Sequence, residues 1–103
     1  MKSYNKLVRG KIPEIIEANG ETPQVRVLTD DAEYIRALSK KLVEEAHEFE
    51  EAPSLEELID NLEVAYSLGR ALGYTPEQIE SARAAKAQER GGFDERIFLI
   101  STE

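Results

Sequence analysis

Two pairs of carboxylates at helical spacing lie in the middle of the chain. Glu45 and Glu48 are three residues apart, and so are Glu57 and Asp60. Because residues three apart are neighbours on one face of a helix, two packed helices would bring the four carboxylates together. Clustered carboxylates need a cation, and their oxygens are ligands that Mg²⁺ and Mn²⁺ accept. The spacing therefore predicts a divalent metal site.

The position of the first pair on its helix also indicates a functional role. Leu38, Leu42 and Phe49 recur at steps of four and seven, which predicts an apolar helix face. Glu45 falls on that same face, where the pattern calls for leucine. A semi-buried carboxylate is unfavourable unless it is paired or binds a metal, so Glu45 is a candidate functional residue.

Two structural explanations compete with the metal site. A Glu-rich helix commonly faces solvent and then needs no ligand. In addition, Ser54-Leu-Glu-Glu57 has the sequence of a capping box, in which the Glu side chain bonds back to the backbone of the cap. Capping explains Glu57 but neither Asp60 nor the upstream pair, and both explanations for Glu57 stay open.

The composition excludes several classes of protein. The chain has 103 residues, which predicts a single domain over residues 1–103, and no cysteine for disulfides or thiolate sites. A net charge of −8 argues against nucleic-acid partners but not against a metal-bound nucleotide. No apolar run could span a membrane, and the N-terminus is too polar for a signal peptide. We therefore expect a cytoplasmic protein with no membrane partner.

Helix start and stop signals divide most of the chain into four helices. Asp30, Ser54 and Thr75 are predicted caps. The predicted helices cover about residues 13–19, 30–51, 54–72 and 75–90. Residues 24–28 and 97–100 are rich in apolar β-formers and could pair as a small two-stranded β-ribbon. The expected fold class is therefore mainly α, a helical bundle with a candidate ribbon.

The third predicted helix carries apolar residues on two sides. Leu58, Leu62 and Tyr66 lie on one face, and Val64 and Leu68 form part of another. A helix that is apolar on two sides is buried on both. In so short a chain, the second cover would come from another copy, which predicts a homodimer.

Four basic residues are candidates for contacts with phosphate oxygens. Arg9 and Lys11 lie in a mixed N-terminal segment, and Lys86 and Arg90 are four residues apart on the last predicted helix. Guanidinium and ammonium groups donate charge-assisted hydrogen bonds to phosphate. For Lys86 and Arg90, favourable charge at a helix C-terminus is an alternative explanation.

The acidic pattern resembles a known enzyme family. Glu44-Glu45-x-x-Glu48 followed by Glu57-x-x-Asp60 is similar to the pattern of the all-α nucleoside triphosphate pyrophosphohydrolases. These include MazG-like proteins, phosphoribosyl-ATP pyrophosphohydrolases and dimeric dUTPases. The N-terminal Tyr4-Asn-Lys-Leu-Val-Arg-x-Lys-Ile-Pro-Glu-Ile-Ile16 and the C-terminal Arg90-Gly-Gly-Phe93 look like a branch of small house-cleaning enzymes, the phosphoribosyl-ATP-pyrophosphohydrolase-like proteins.

This resemblance implies a reaction and roles for particular residues. Members of the family split a nucleoside triphosphate, in some cases a non-standard or deoxy one, into the monophosphate and pyrophosphate. The likeness implies that Mg²⁺, or Mn²⁺, is held by Glu45, Glu48, Glu57 and Asp60. It also implies that Glu44 and Glu48 are catalytic, orienting a water molecule or accepting its proton. Family active sites lie in bundles that a homodimer or homotetramer builds.

Two departures from the family pattern have different consequences. The short segment between Glu48 and Glu57 leaves little loop to close over a base, so the identity of the substrate stays open. Gly10 stands where this branch usually carries Asp, and this departure keeps a second hypothesis open. The alternative is a non-catalytic helical module that binds nucleotide or metal, or that dimerises to present a surface. In that case the acidic stripe would face solvent and Glu57 would cap its helix.

Overall fold

The computed structural model describes residues 2–103 as four α-helices joined by irregular segments. α1 spans Ile12–Ala18, α2 spans Asp31–Glu51, α3 spans Leu55–Ala71 and α4 spans Pro76–Arg90. α2 and α3 pack against each other, and α4 packs on α3. The predicted class, a mainly α helical bundle, is confirmed. None of the helices within residues 2–103 combines the length and apolarity needed to cross a lipid bilayer.

The predicted β-ribbon is wrong, because residues 2–103 contain no β-strand. Residues 24–28 and 97–100 are irregular and largely exposed, with Val27 at 83 % and Ile100 at 89 % of full exposure. A two-stranded ribbon is marginal in water unless one of its faces packs on other structure. Neither segment packs such a face on the helices, and β-propensity alone does not stabilise a strand pair.

All three predicted caps occupy their expected positions. The side-chain oxygens of Asp30, Ser54 and Thr75 each accept a hydrogen bond from the backbone N–H three residues later, at 3.1 Å. Such a bond satisfies one of the free donors in the first turn of a helix. α4 also has the reciprocal bond of a capping box, because Gln78 Oε1 accepts from the Thr75 backbone N–H at 2.8 Å.

The core lies between α2 and α3, which a short connection at residues 52–54 folds into an antiparallel hairpin. Leu38 on α2 and Val64 on α3 are its buried apolar side chains, at 4 % and 8 % exposure. Asn61 joins the two helices, because its amide donates to Glu45 O at 3.0 Å and to Glu57 O at 2.8 Å. These bonds set the register at which α2 and α3 face each other.

α4 approaches α3 closely at a glycine. Gly69 is buried on α3, and a Cβ at this position would overlap Ile79 Cδ1 of α4. The missing side chain therefore lets the two helices meet. Within the described chain, α4 does not contact α2, and α1 contacts none of the other helices. α4 thus lies against α3 and away from α2.

The chain exposes much more surface than a compact monomer of its size. Its accessible surface is 9395 Å², whereas a folded monomer of this mass exposes about 5,800 Å². Its radius of gyration is 17.7 Å, against about 13 Å for a compact domain of this length. The exposed surface includes one apolar face of α3, formed by Leu55, Leu58, Ile59, Leu62 and Tyr66, each at least 41 % exposed. A second copy, as the homodimer prediction requires, would cover this α3 apolar face.

Candidate metal centre

Three of the four predicted carboxylate ligands converge where α2 and α3 meet. Glu45 comes from α2, and Glu57 and Asp60 come from α3. One carboxylate oxygen from each lies within 4.8 Å of the others. The hydrogen bond from Asn61 of α3 to the backbone carbonyl of Glu45 on α2 helps to hold the helices at this register. We call these three residues the carboxylate cluster.

Two oxygens of the carboxylate cluster are buried without a hydrogen-bond donor. Glu45 is only 7 % exposed. Glu45 Oε2 and Glu57 Oε2 are both shielded from solvent, and neither accepts a hydrogen bond from the part of the chain that the structure describes. Buried polar atoms in proteins nearly always have a partner. A cation is a partner that neighbouring carboxylates can share, so these atoms could bind one.

The electrostatics of the cluster also favour a bound cation. Burial raises the pKa of Glu45, the charge of nearby Glu48 raises it further, and Lys41 offsets this only in part. Burial likewise raises the pKa of Glu57, with further contributions from the charges of Asp60 and Glu45. Ionising these carboxylates is therefore less favourable than ionising exposed ones, and a divalent cation would relieve their repulsion.

Two basic side chains contact the cluster directly. Lys41 Nζ lies 3.4 Å from Glu45 Oε1, one helical turn away on α2. Arg9 Nη2, from the N-terminal segment, donates to Asp60 Oδ1 at 2.7 Å. Two positive charges only partly balance three carboxylates, and neither group bonds the buried Oε2 atoms. The cluster therefore keeps an excess of negative charge.

Glu44, predicted as a catalytic carboxylate, is engaged by basic residues. Its Oε1 accepts from Lys6 Nζ at 3.2 Å and its Oε2 accepts from Lys41 Nζ at 3.4 Å. Burial by itself would raise the pKa of Glu44, but the hydrogen bond from Lys6 and the charge of Lys41 hold this pKa below its ordinary value. Glu44 therefore stays ionised and holds Lys6 and Lys41 beside the cluster.

The donor set fits a hard divalent cation. It consists of carboxylate oxygens, which suit Mg²⁺ and Mn²⁺ better than a soft metal. The three oxygens already lie within 4.8 Å of one another, and small side-chain rotations would bring them closer around a shared ion. Glu45, Glu57 and Asp60 could therefore hold the ion that the sequence predicts.

The structure places the fourth predicted ligand, Glu48, at the solvent side of the cluster. Glu48 is exposed, and its oxygens are not among the three that converge. Its charge nevertheless acts on Glu45, three residues earlier on α2. Glu48 is thus close enough to influence the cluster without being one of its three oxygen donors.

Helix capping explains the hydrogen bond of the Glu57 backbone N–H but not the position of the Glu57 side chain. The Glu57 N–H donates to Ser54 Oγ at 3.1 Å. The side chain of Glu57 does not complete the box; it lies beside Asp60, with Oε2 buried and unpaired. Capping therefore accounts for the start of α3 but not for the position of the Glu57 carboxylate.

One of the four predicted phosphate-binding residues contacts the carboxylate cluster. Arg9 does so through Asp60, whereas Lys11 is exposed and makes no ion pair within residues 2–103. Lys86 and Arg90 are exposed on α4, which does not contact α2. A single chain therefore does not bring Lys86 and Arg90 into contact with these carboxylates.

A cavity of about 210 Å³ lies directly beside the cluster. Its lining includes Glu45 and Asp60, apolar Leu38 and Val64, and the ring of Tyr34. A space with carboxylates and an aromatic ring can hold a ligand that has both a charged and a planar part. Sequence analysis did not identify Tyr34, because an aromatic residue four positions before Leu38 is indistinguishable from a core residue.

Replacing Glu45 gives a stability test of the buried charge. In chelator at pH 8, Glu45→Gln should raise the free energy of unfolding by on the order of 1 kcal/mol, because it removes an incompletely paired buried charge. The folded-state pKa of Glu45 lies above its ordinary value of 4.5. The folded state therefore binds the Glu45 proton more tightly than the unfolded state does, and protonation of Glu45 stabilises the fold. This stabilisation is fully present below pH 4.5 and is lost as the pH rises through the folded pKa. The advantage of the variant should shrink on acidification, as measured by urea titrations across this range.

The control for this experiment is Glu50→Gln, an exposed carboxylate on the same helix that makes no ion pair among the described residues. It should leave stability unchanged at every pH. A Glu45→Gln protein less stable than the wild type at pH 8 would mean that the bond to Lys41 outweighs burial. Saturating Mg²⁺ should reverse the order, because only the wild type keeps all three ligands.

Comparison with known proteins finds a relative that matches part of the chain. No family model matches the chain, and no solved structure matches it. A protein of Mycolicibacterium smegmatis, named only as an uncharacterized protein, is 53 % identical over 47 residues, which are 46 % of this chain and 47 % of that protein. The chain thus spans about half the length of the curated relative it matches. That name assigns no function, and the function below is inferred from the carboxylate cluster and its surroundings.

Proposed function

We propose that the protein is a Mg²⁺-dependent pyrophosphohydrolase that converts a nucleoside triphosphate into the monophosphate and pyrophosphate. The observation that carries the proposal is the Glu45–Glu57–Asp60 cluster, with Glu45 7 % exposed and two buried oxygens lacking donors. Mg²⁺ in proteins is commonly held by a few carboxylates and shared with substrate phosphates. The likeness of the acidic pattern to the all-α pyrophosphohydrolases supports this reaction and a role in removing non-standard or deoxy nucleotides.

The residues around the cluster have distinct tasks in this reaction. When bound, Mg²⁺ would neutralise the triphosphate, orient it and lower the pKa of the attacking water. Glu48, exposed beside Glu45, is available to accept the proton of that water. Arg9 and Lys11 would donate hydrogen bonds to phosphate oxygens. The hydroxyl of water joins one phosphorus of the α–β anhydride, and the bridging oxygen leaves with the other.

A second copy of the chain belongs to this proposal. Lys86 and Arg90 do not contact the cluster within one chain, because α4 packs on α3 and not on α2. In a homodimer or homotetramer, these two cations could reach the phosphates from a neighbouring copy. The exposed α3 apolar face supplies the surface for such an assembly.

The proposed reaction is tested by product analysis. Ribo-, deoxyribo- and modified nucleoside triphosphates are incubated with the protein in Mg²⁺, in Mn²⁺ and in chelator. We expect pyrophosphate and the matching monophosphate in equal amounts, and only with metal. Orthophosphate in place of pyrophosphate would contradict the assigned bond, and turnover in chelator would contradict the metal requirement.

The alternative of a non-catalytic module has one observation in its favour. Lys6 and Arg9, the two cations that the N-terminal segment brings to the hairpin, already bond Glu44 and Asp60 in this structure. A module that only binds metal or nucleotide would retain this arrangement and form no product. Binding of Mg²⁺–nucleotide by calorimetry without any pyrophosphate from the whole panel would favour this function over hydrolysis.

A further inference from the structure

The N-terminal segment lies over the carboxylate cluster. Lys6 Nζ contacts Glu44 Oε1 at 3.2 Å, and Arg9 Nη2 contacts Asp60 Oδ1 at 2.7 Å. Between these two ion pairs, Leu7 is half-buried and lines the cavity beside the cluster. We call residues 6–9 the N-terminal strap. Two ion pairs hold the strap on the α2–α3 hairpin, and the partners in each pair lie far apart in sequence.

Arg9 and a divalent cation would bind the same residue. Asp60 is one of the three residues whose oxygens converge, and its Oδ1 is the acceptor of the Arg9 hydrogen bond. A guanidinium and a metal ion beside one carboxylate repel each other, since both are cations in a confined space. Glu45 Oε2 and Glu57 Oε2, by contrast, have no competing donor. At Asp60, Arg9 is therefore the group that a metal must displace or approach.

We propose that Arg9 is an internal counter-ion that competes with the metal for Asp60, so that metal binding releases Arg9 from the cluster. The inference rests on the metal site of the proposed function but not on hydrolysis. An anionic phosphate that accepts Arg9 removes the competitor from Asp60. By linkage, metal and phosphate each strengthen the binding of the other.

The exposure of the ion pair makes this competition reversible. The side chains of Arg9 and Asp60 are 56 % and 30 % exposed. An ion pair of this exposure shifts an equilibrium by at most about fivefold. Arg9 therefore lowers the affinity of the free protein for metal without blocking the site, and the released guanidinium is positioned beside the place where phosphate would bind.

The test is the affinity for Mn²⁺ in the absence of nucleotide, measured by calorimetry or by electron paramagnetic resonance of the free ion. Arg9→Ala should bind Mn²⁺ about threefold to fivefold more tightly than the wild type. Arg9→Gln, which keeps most of the side-chain length, should show the same gain. The matched control is Lys11→Ala, which removes a positive charge from the same segment but no ion pair; its affinity should change less than about twofold.

A second readout follows Arg9 itself. In ¹⁵N-labelled protein, the Arg9 Nε signal is assigned by its loss in Arg9→Ala. Saturation with Mg²⁺ should move it to the position of a solvent-exposed arginine. A purely structural ion pair would keep its signal unchanged while the metal binds elsewhere.

The outcomes separate this inference from the proposed function. Equal or weaker Mn²⁺ binding by both Arg9 variants, a gain equalled by Lys11→Ala, or a static Arg9 signal would overturn the inference while leaving the metal site in place. If neither the wild type nor the variants bind Mn²⁺, the metal site and the inference are both wrong. Pyrophosphate release by a protein whose Arg9 variants show no gain would leave the proposed function standing alone.

Discussion

Asp60→Asn is expected to remove both metal binding and pyrophosphate release, whereas Glu48→Gln is expected to remove release alone. Asp60 provides one of the three converging oxygens. Residues that merely support a ligand already change metal affinity by about 10- to 100-fold when replaced, so loss of a ligand should cost at least about a hundredfold. Asn retains the shape of Asp, so the packing of α3 should survive.

Glu48 should give a different result because of where it lies. It is exposed and is not among the converging oxygens, so its replacement leaves the three ligands in place. Gln cannot accept a proton from the attacking water. Loss of a general base lowers kcat by about 10²- to 10⁴-fold. The affinity for Mn²⁺ should stay within a few-fold of the wild type, so kcat and metal affinity change independently.

Both quantities can be measured on the same samples, by Mn²⁺ titration and by pyrophosphate release, with circular dichroism to verify the helices. Glu50→Gln is again the control, because Glu50 is exposed on α2 and makes no ion pair in the described chain. It should change neither quantity. Full metal binding by Asp60→Asn would show that Asp60 is not a ligand. Loss of metal binding by Glu48→Gln would show that Glu48 is one.

Local signals in the sequence predict much of the fold. Asp30, Ser54 and Thr75 start helices because each side chain can satisfy a free N–H in the next turn, a short-range effect. The same short range explains the error at residues 24–28 and 97–100. β-propensity there is real, but a strand pair depends on a packed face that the local sequence does not encode.

The sequence only partly predicts which carboxylates come together. Spacing places Glu45 and Glu48 on neighbouring positions of α2, but the direction from which α3 approaches decides which of them faces inward. The hydrogen bond that Asn61 of α3 donates to Glu45 O of α2 is one contact that favours the observed direction. The contacts of Lys6 and Arg9 with the hairpin join exposed charges far apart in sequence, and such pairs leave no periodic signal.

In solution the protein is expected to have a mass of at least two copies of the 11.6 kDa chain. The single chain exposes 9395 Å², roughly 3,500 Å² more than a compact monomer of its mass. A standard interface buries about 800 Å² per partner, and obligate dimers bury considerably more. Leu38 and Val64 are the buried apolar side chains of the described chain. So few fully buried residues offset little of the entropy of ordering four helices, and we therefore expect association through the α3 apolar face to contribute.

Leu62→Glu tests this expectation at the α3 apolar face, where Leu62 is 45 % exposed. A charge in an apolar interface should convert the assembly to a monomer by light scattering at micromolar concentration, and should lower the melting temperature. Val27→Glu is the control, since Val27 is 83 % exposed and lies outside the helices. The wild-type melting temperature should rise with protein concentration, because association stabilises only the folded chain. A wild-type monomer whose melting temperature is independent of concentration would show that the chain folds alone and that Lys86 and Arg90 have no partner copy from which to reach the substrate.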